Sequence, residues 1–140
     1  MTRSLVVLLT AFVLAACGTA PAVRDQSRPR NASVGPAVDS LLTWAARDFH
    51  THRATYPARL RNVRSGYFVM ADGTRQYRLC GEFLPAQAGS AAEWTRFVTI
   101  TTDPFEQWIG GQAGPYCDSS VTWDRGDLSS LLQSRLDSLQ

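Results

Sequence analysis

Four groups of side chains in this sequence have the types and spacing to do chemistry. Arg47, Arg53, Arg59, Arg61 and Arg64 crowd into one stretch in which Asp48 is the sole acid. Guanidinium forks match the paired oxygens of phosphate and carboxylate. The cluster therefore has the means to hold an anionic ligand, such as the charged groups of lipid, lipopolysaccharide or peptidoglycan. The plainer expectation is a solvated rim with salt bridges to Glu82, Glu93 or Asp103. Asp48, His50 and His52 form the string DFHTH. Two histidines two apart share one side of a strand but not of a helix end, and no further ligands are evident, so no metal is expected. Glu82 and Glu93 are the type of pair that hydrolyses glycosidic bonds. Two acids in one small sheet are ordinary, so no catalytic residue is assigned. Trp94, Trp108 and Trp123 could line a groove, although filling a core is the commoner role of such rings. No Gly-rich phosphate loop is present, and no cofactor is expected.

The fourth group is the cysteines. There are three, and an odd count in an exported chain asks for one special cysteine and one pair. Arg3 precedes an apolar run from Leu5 to Leu14, broken only by Thr10; Ala15, Ala16 and Cys17 follow. The run is too short to span a membrane as a helix and has the build of a signal-peptide core. Leu14-Ala15-Ala16-Cys17 resembles the lipobox of bacterial lipoproteins. The resemblance implies cleavage before Cys17 and lipidation of that cysteine, with palmitate among the acyl chains. More than one chain is what stable anchoring needs. Gly18, rather than an aspartate, follows the cysteine, which implies delivery to the outer membrane, facing the periplasm. Residues 1–16 are then a cleaved leader. Residues 17–35 are the lipidated cysteine and a Pro-containing tether without apolar periodicity. Extended at about 3.1 Å per residue, the tether reaches on the order of 55 Å. With Cys17 committed to lipid, Cys80 and Cys117 are expected to pair in the oxidising exported compartment. Closing that long loop is worth about 4 kcal/mol on chain entropy.

The elements that must position these residues lie in 36–140, expected to be a single α+β domain. A helix starts at Pro36, where a missing donor costs nothing, and runs to about His50. Val38, Leu41, Leu42, Ala45 and Phe49 make its apolar face. Leu60–Met70 and Arg75–Leu84 read as strands joined by Ala71-Asp72-Gly73-Thr74, a hairpin signal. On the second strand Tyr77, Leu79, Gly81 and Phe83 alternate with Arg78, Cys80 and Glu82. Glu93–Thr102 is the next strand, Asp103-Pro104 a turn, Phe105–Ile109 a short fourth strand, and Gly110–Pro115 a loop. Asp127 is expected to N-cap a second helix, with Leu128, Leu131, Leu132, Leu136 and Leu139 as its core stripe. The expected architecture is a helix, a three- to four-stranded antiparallel sheet, a second helix and one disulfide.

Pro57-Ala58, Leu60-Arg61-Asn62-Val63, Cys80-Gly81-Glu82 and Arg96-Phe97-Val98 resemble a pattern found in a small family of uncharacterised bacterial secreted proteins and lipoproteins. The chain departs from it at Phe83-Leu84-Pro85 and Ser90-Ala91-Ala92. The resemblance implies a domain type and an envelope address, with no reaction attached. The chain has 140 residues, 44% of them hydrophobic and 19% charged, and all its basic side chains are arginine. A formal net charge of +2 is too small to argue for nucleic acid. The expected partners are the membrane, through the lipid, and an envelope protein or peptidoglycan. The expected function is a non-enzymatic binding or structural module. A lysozyme-inhibitor-like protein is the alternative, although those domains are all-β. An enzyme acting on cell-wall material would need a cleft with convergent polar groups.

Overall fold

The computed structural model describes residues 34–86, 92–118 and 120–140, apart from the side chain of Arg53. These residues belong to one compact unit, Ala32–Gln140. The leader, Cys17 and nearly all of the tether lie outside the described residues. So does most of the loop that departs from the family pattern.

Helix α1 spans Pro36–Thr51, with proline in its first turn. Val38, Leu41, Leu42, Ala45, Ala46 and Phe49 are buried along one face, as their 3.6-residue spacing requires. Strands β1 (Pro57–Val69), β2 (Arg75–Pro85), β3 (Thr95–Thr101), β4 (Phe105–Ile109) and β5 (Thr122–Trp123) follow, and α2 (Ser129–Asp137) closes the chain. The sheet has the order β4-β3-β2-β1-β5, and each neighbouring pair is antiparallel. The class is α+β with one disulfide. The fifth strand was not expected: it is two residues long, below what alternation can reveal. It forms because Gly66 lets the Val121–Trp123 segment lie against β1. A Cβ at Gly66 would stand 2.7 Å from the carbonyl oxygen of Thr122 and 2.8 Å from Val121 Cγ1.

The two faces of the sheet are packed differently. On one, Val63, Leu79, Phe83 and Phe97 meet the apolar face of α1 together with Leu132 and Leu136 of α2. Phe49 lies 5.0 Å from Phe83 and 5.1 Å from Phe97 between ring centroids, in the tilted and edge-on arrangements that aromatic rings prefer. On the other face, Cys80, Val98, Ile100 and Ala113 form a smaller cluster beside Trp108, Tyr116, Cys117 and Trp123. A 3₁₀ segment, Gly110–Tyr116, covers this part, where the sequence suggested plain loop. Cys80 and Cys117 are disulfide-bonded, joining the end of that segment to β2. The buried Arg78 guanidinium adds a second link by donating to the Tyr116 carbonyl at 2.9 Å.

The second helix departs from expectation in two ways. Its N-cap position is Leu128, while Asp127 accepts the backbone N–H of Ser129 at 2.7 Å from one residue earlier. Of the leucine stripe, Leu132 and Leu136 are fully buried, whereas Leu131 and Leu139 are each 36% exposed. A helix of nine residues presents only about two turns to its neighbour. Arg135 supplies the tie that the outer leucines do not, donating to Thr43 and pairing with Asp39 of α1.

Candidate functional site

The open face of the sheet carries a cleft of about 630 Å³. Its placement begins with a bulge in β1. Arg61 pairs with Glu82 and Arg64 with Cys80, and the register slips between them. Asn62 takes a positive φ of 54° at the slip, the region where asparagine is tolerated better than most residues. In a regular strand, residues three apart point to opposite faces. The bulge adds one residue, so Arg61 and Arg64 both reach the open face while Leu60 and Val63 both face the helices.

The bulge also takes the main chain of Val63 out of the β1–β2 ladder. Its N–H donates instead to Ser129 Oγ at 3.1 Å, and its carbonyl accepts from Leu128 N at 2.7 Å. The buried Ser65 hydroxyl donates to Asp124 at 2.7 Å. These bonds hold the β5–α2 connection against β1 and bring Gly126 and Asp127 to the cleft wall. Cys80, Gly81 and Glu82 lie along its floor, with Asn62 and Arg64 on one side, Arg96 on the other, and Cys117 and Trp123 at one end. A second, smaller cleft holds Trp94, Gly110, Gly111 and Gly114, and Arg96 lines both.

The charges are arranged by strand register. Glu82 on β2 stands between Arg61 on β1 and Arg96 on β3. It bonds one of them: Arg61 Nε donates at 2.7 Å, and Asn62 Nδ2 adds a 3.2 Å bond to the same oxygen. Partial burial pushes the Glu82 carboxyl up, but these hydrogen bonds, with the charges of Arg61 and Arg96, outweigh it and hold the group below the usual carboxylate range. Among the described residues, Arg64 and Arg96 form no ion pair. Aromatic rings fix the cations further. The Arg61 guanidinium lies 4.0 Å from the Trp94 ring centre, Arg59 lies 5.8 Å from the same ring, and Arg64 lies 4.7 Å from Trp123, all within cation–π range.

The expected arginine group is thus divided. Arg59, Arg61 and Arg64 share the open face. Arg47 belongs to α1, against Trp44 at 5.7 Å, and Trp44 stacks on Phe105 at the helix-covered side. The Arg53 side chain lies outside the described residues. The three tryptophans do not line one groove: Trp123 is at the larger cleft, Trp94 at the smaller, and Trp108 stacks on Tyr116. Of the expected salt bridges from the arginine group, the one formed among the described residues is Arg61–Glu82. His52 caps α1, with its Nδ1 3.0 Å from the Asp48 carbonyl oxygen, and no metal-binding group of His, Cys, Asp or Glu occurs among the described residues.

Arg96 and Asn62 stand in the family-like pattern but are not among the anion-binding residues expected from sequence. Arg96 had a readable signal: it alternates with Val98 and Ile100 in TRFVTIT, so it must share their face. Asn62 had none, because a bulge leaves no mark in the alternation before it occurs. No protein-family model, curated protein or solved structure matches this chain.

Proposed function

We propose that this chain is a lipoprotein of the bacterial envelope, cut before Cys17 and held in the outer membrane by acyl chains on that cysteine. Residues 36–140 act as a non-enzymatic binding module on the periplasmic side. The observation that carries the binding role is the cleft: a concave site walled by side chains already fixed by register, ring stacking and a disulfide. A site whose groups are immobilised before binding loses little entropy when it engages a ligand. The Cys80–Cys117 bond supports an oxidising, exported compartment. The ordered run of Arg3, the apolar core, Ala15-Ala16 and Cys17 supports the anchor. Among the described residues no helix is long and apolar enough to cross a membrane. The packing of α1 over one face of the sheet favours this reading over an all-β lysozyme inhibitor.

The test is palmitate labelling and envelope fractionation of the wild type and Cys17→Ser, followed by in-cell crosslinking. The wild type should carry label and sediment with outer membranes, and the variant should lose both. A mature wild type that is soluble and unlabelled refutes the anchor. Crosslinked partners found with the wild type identify what the module binds, and potent inhibition of lysozyme would install the alternative.

A further inference from the structure

We propose that the cleft is an oxyanion site in which Arg64 and Arg96 grip a phosphate or carboxylate group above the β2 backbone at Gly81. This rests on the reading of the domain as a binding module, and it names the ligand chemistry and the residues.

Two arginines, Arg64 and Arg96, and two carboxylates, Glu82 and Asp127, line the cleft, but the pairing is uneven. Glu82 accepts from Arg61 and Asn62. Asp127 accepts from the N–H and hydroxyl of Ser129. Arg64 and Arg96 therefore face the same space with no carboxylate paired to either among the described residues. They stand on strands either side of β2, with Arg64 opposite Cys80 and Arg96 opposite Glu82. At about 4.8 Å between strands and about 3.3 Å per residue, their Cα atoms are on the order of 12 Å apart. The midpoint falls over Gly81, whose Cβ position faces the helix-side core against Phe97 and Val63, so the floor between the two arginines is β2 backbone. Two long cations on opposite walls of an open floor suit a ligand between them.

The rings favour an anion over a sugar. A sugar stacks on a bare indole face, whereas here Arg64 covers one face of Trp123 and Arg61 covers one face of Trp94. A guanidinium held over a ring face still has N–H groups to donate, and its fork fits two oxygens of one anion at once. Arg47 provides an internal contrast, since it also lies over a tryptophan but borders neither this cleft nor the smaller one beside it.

The experiment is an NMR titration of the detergent-solubilised full chain, following arginine Nε–Hε signals. Inorganic phosphate and acetate are added separately, with sodium chloride at matched ionic strength as the reference. At least one oxyanion should produce saturable shifts at Arg64 and Arg96. Arg64→Gln and Arg96→Gln should each weaken binding by about 10-fold or more, the scale of a charge-assisted hydrogen bond. Arg64→Lys should also weaken it, because the charge remains but the fork is lost. Arg47→Gln should bind as the wild type does. Preference for phosphate points to a phosphate-bearing ligand and preference for acetate to a carboxylate-bearing one; either supports the site. Chloride reproducing the shifts, or unchanged binding in the two glutamine variants, overturns it. A crosslinked partner retained undiminished by the Arg64→Gln/Arg96→Gln double variant would overturn the oxyanion site while leaving the binding module standing.

Discussion

The two faces of one sheet divide the work of this domain. Residues 77, 79, 81 and 83 of β2 look toward the helices, and 78, 80, 82 and 84 look away. On the helix side Leu79, Phe83, Phe97 and Phe49 are almost completely excluded from solvent, and shape and volume decide everything. On the open side the same strands display arginines, one carboxylate and a disulfide, and the decisive quantity is which charge is paired to which. Neighbouring residues on a strand are thus under unrelated constraints. Stability should concentrate on one face and recognition on the other.

The largest expected effect breaks the helix side. Phe97→Ala should cost about 3–5 kcal/mol in urea unfolding, because it removes a ring that two other phenylalanines pack against. A loss below about 1 kcal/mol would mean that the core is not organised around this cluster. Replacing Cys80 and Cys117 together by serine should cost about 2–4 kcal/mol, since the long loop regains its freedom in the unfolded chain. This is the one open-side change expected to rival a core truncation. Gly66→Ala should cost about 1–3 kcal/mol as an overpacking change. Its methyl group would press on the Thr122 carbonyl and move β5, and with it the Trp123 ring that Arg64 covers. Tryptophan fluorescence should change alongside the stability.

Smaller effects belong to the charges. Glu82→Gln should cost about 0.2–1 kcal/mol near neutral pH, the range for a partly exposed ion pair. The folded Glu82 carboxyl sits below its ordinary range. Its contribution is therefore present above the unfolded pKa and fades as pH falls through the folded value. Wild type and variant should converge as the pH falls below the folded value, and a gap that widened in acid would contradict the pairing with Arg61. Arg64→Gln should stay within about 0.5 kcal/mol of wild type in stability. A large loss there would mean that the open face, too, is chiefly structural.

Much of the fold was legible because the signals were local. Helix α1 had its Pro36 start and its apolar spacing. The β1–β2 hairpin had Asp72-Gly73, and Gly73 does take the positive φ of 83° that the turn needs. Strand β4 appears with the expected bounds. The misses share a cause. A two-residue strand, a cap displaced by one position and the half-buried leucines of α2 all depend on what lies opposite in space, which spacing along the chain does not contain.

The sequence by itself determined the class of the fold, the start of α1, the hairpin, and which β2 side chains share a face, because periodicity is set by backbone geometry alone. It also singled out Cys80 and Cys117 as the pair once Cys17 is set aside. Only the tertiary structure decided how the arginines divide. The bulge at Asn62 turns Arg61 and Arg64 to one face, strand order sets Arg96 across from Glu82, and one carboxylate goes to one arginine. Charge pairing depends on distances across strands, and those exist only after the sheet has formed.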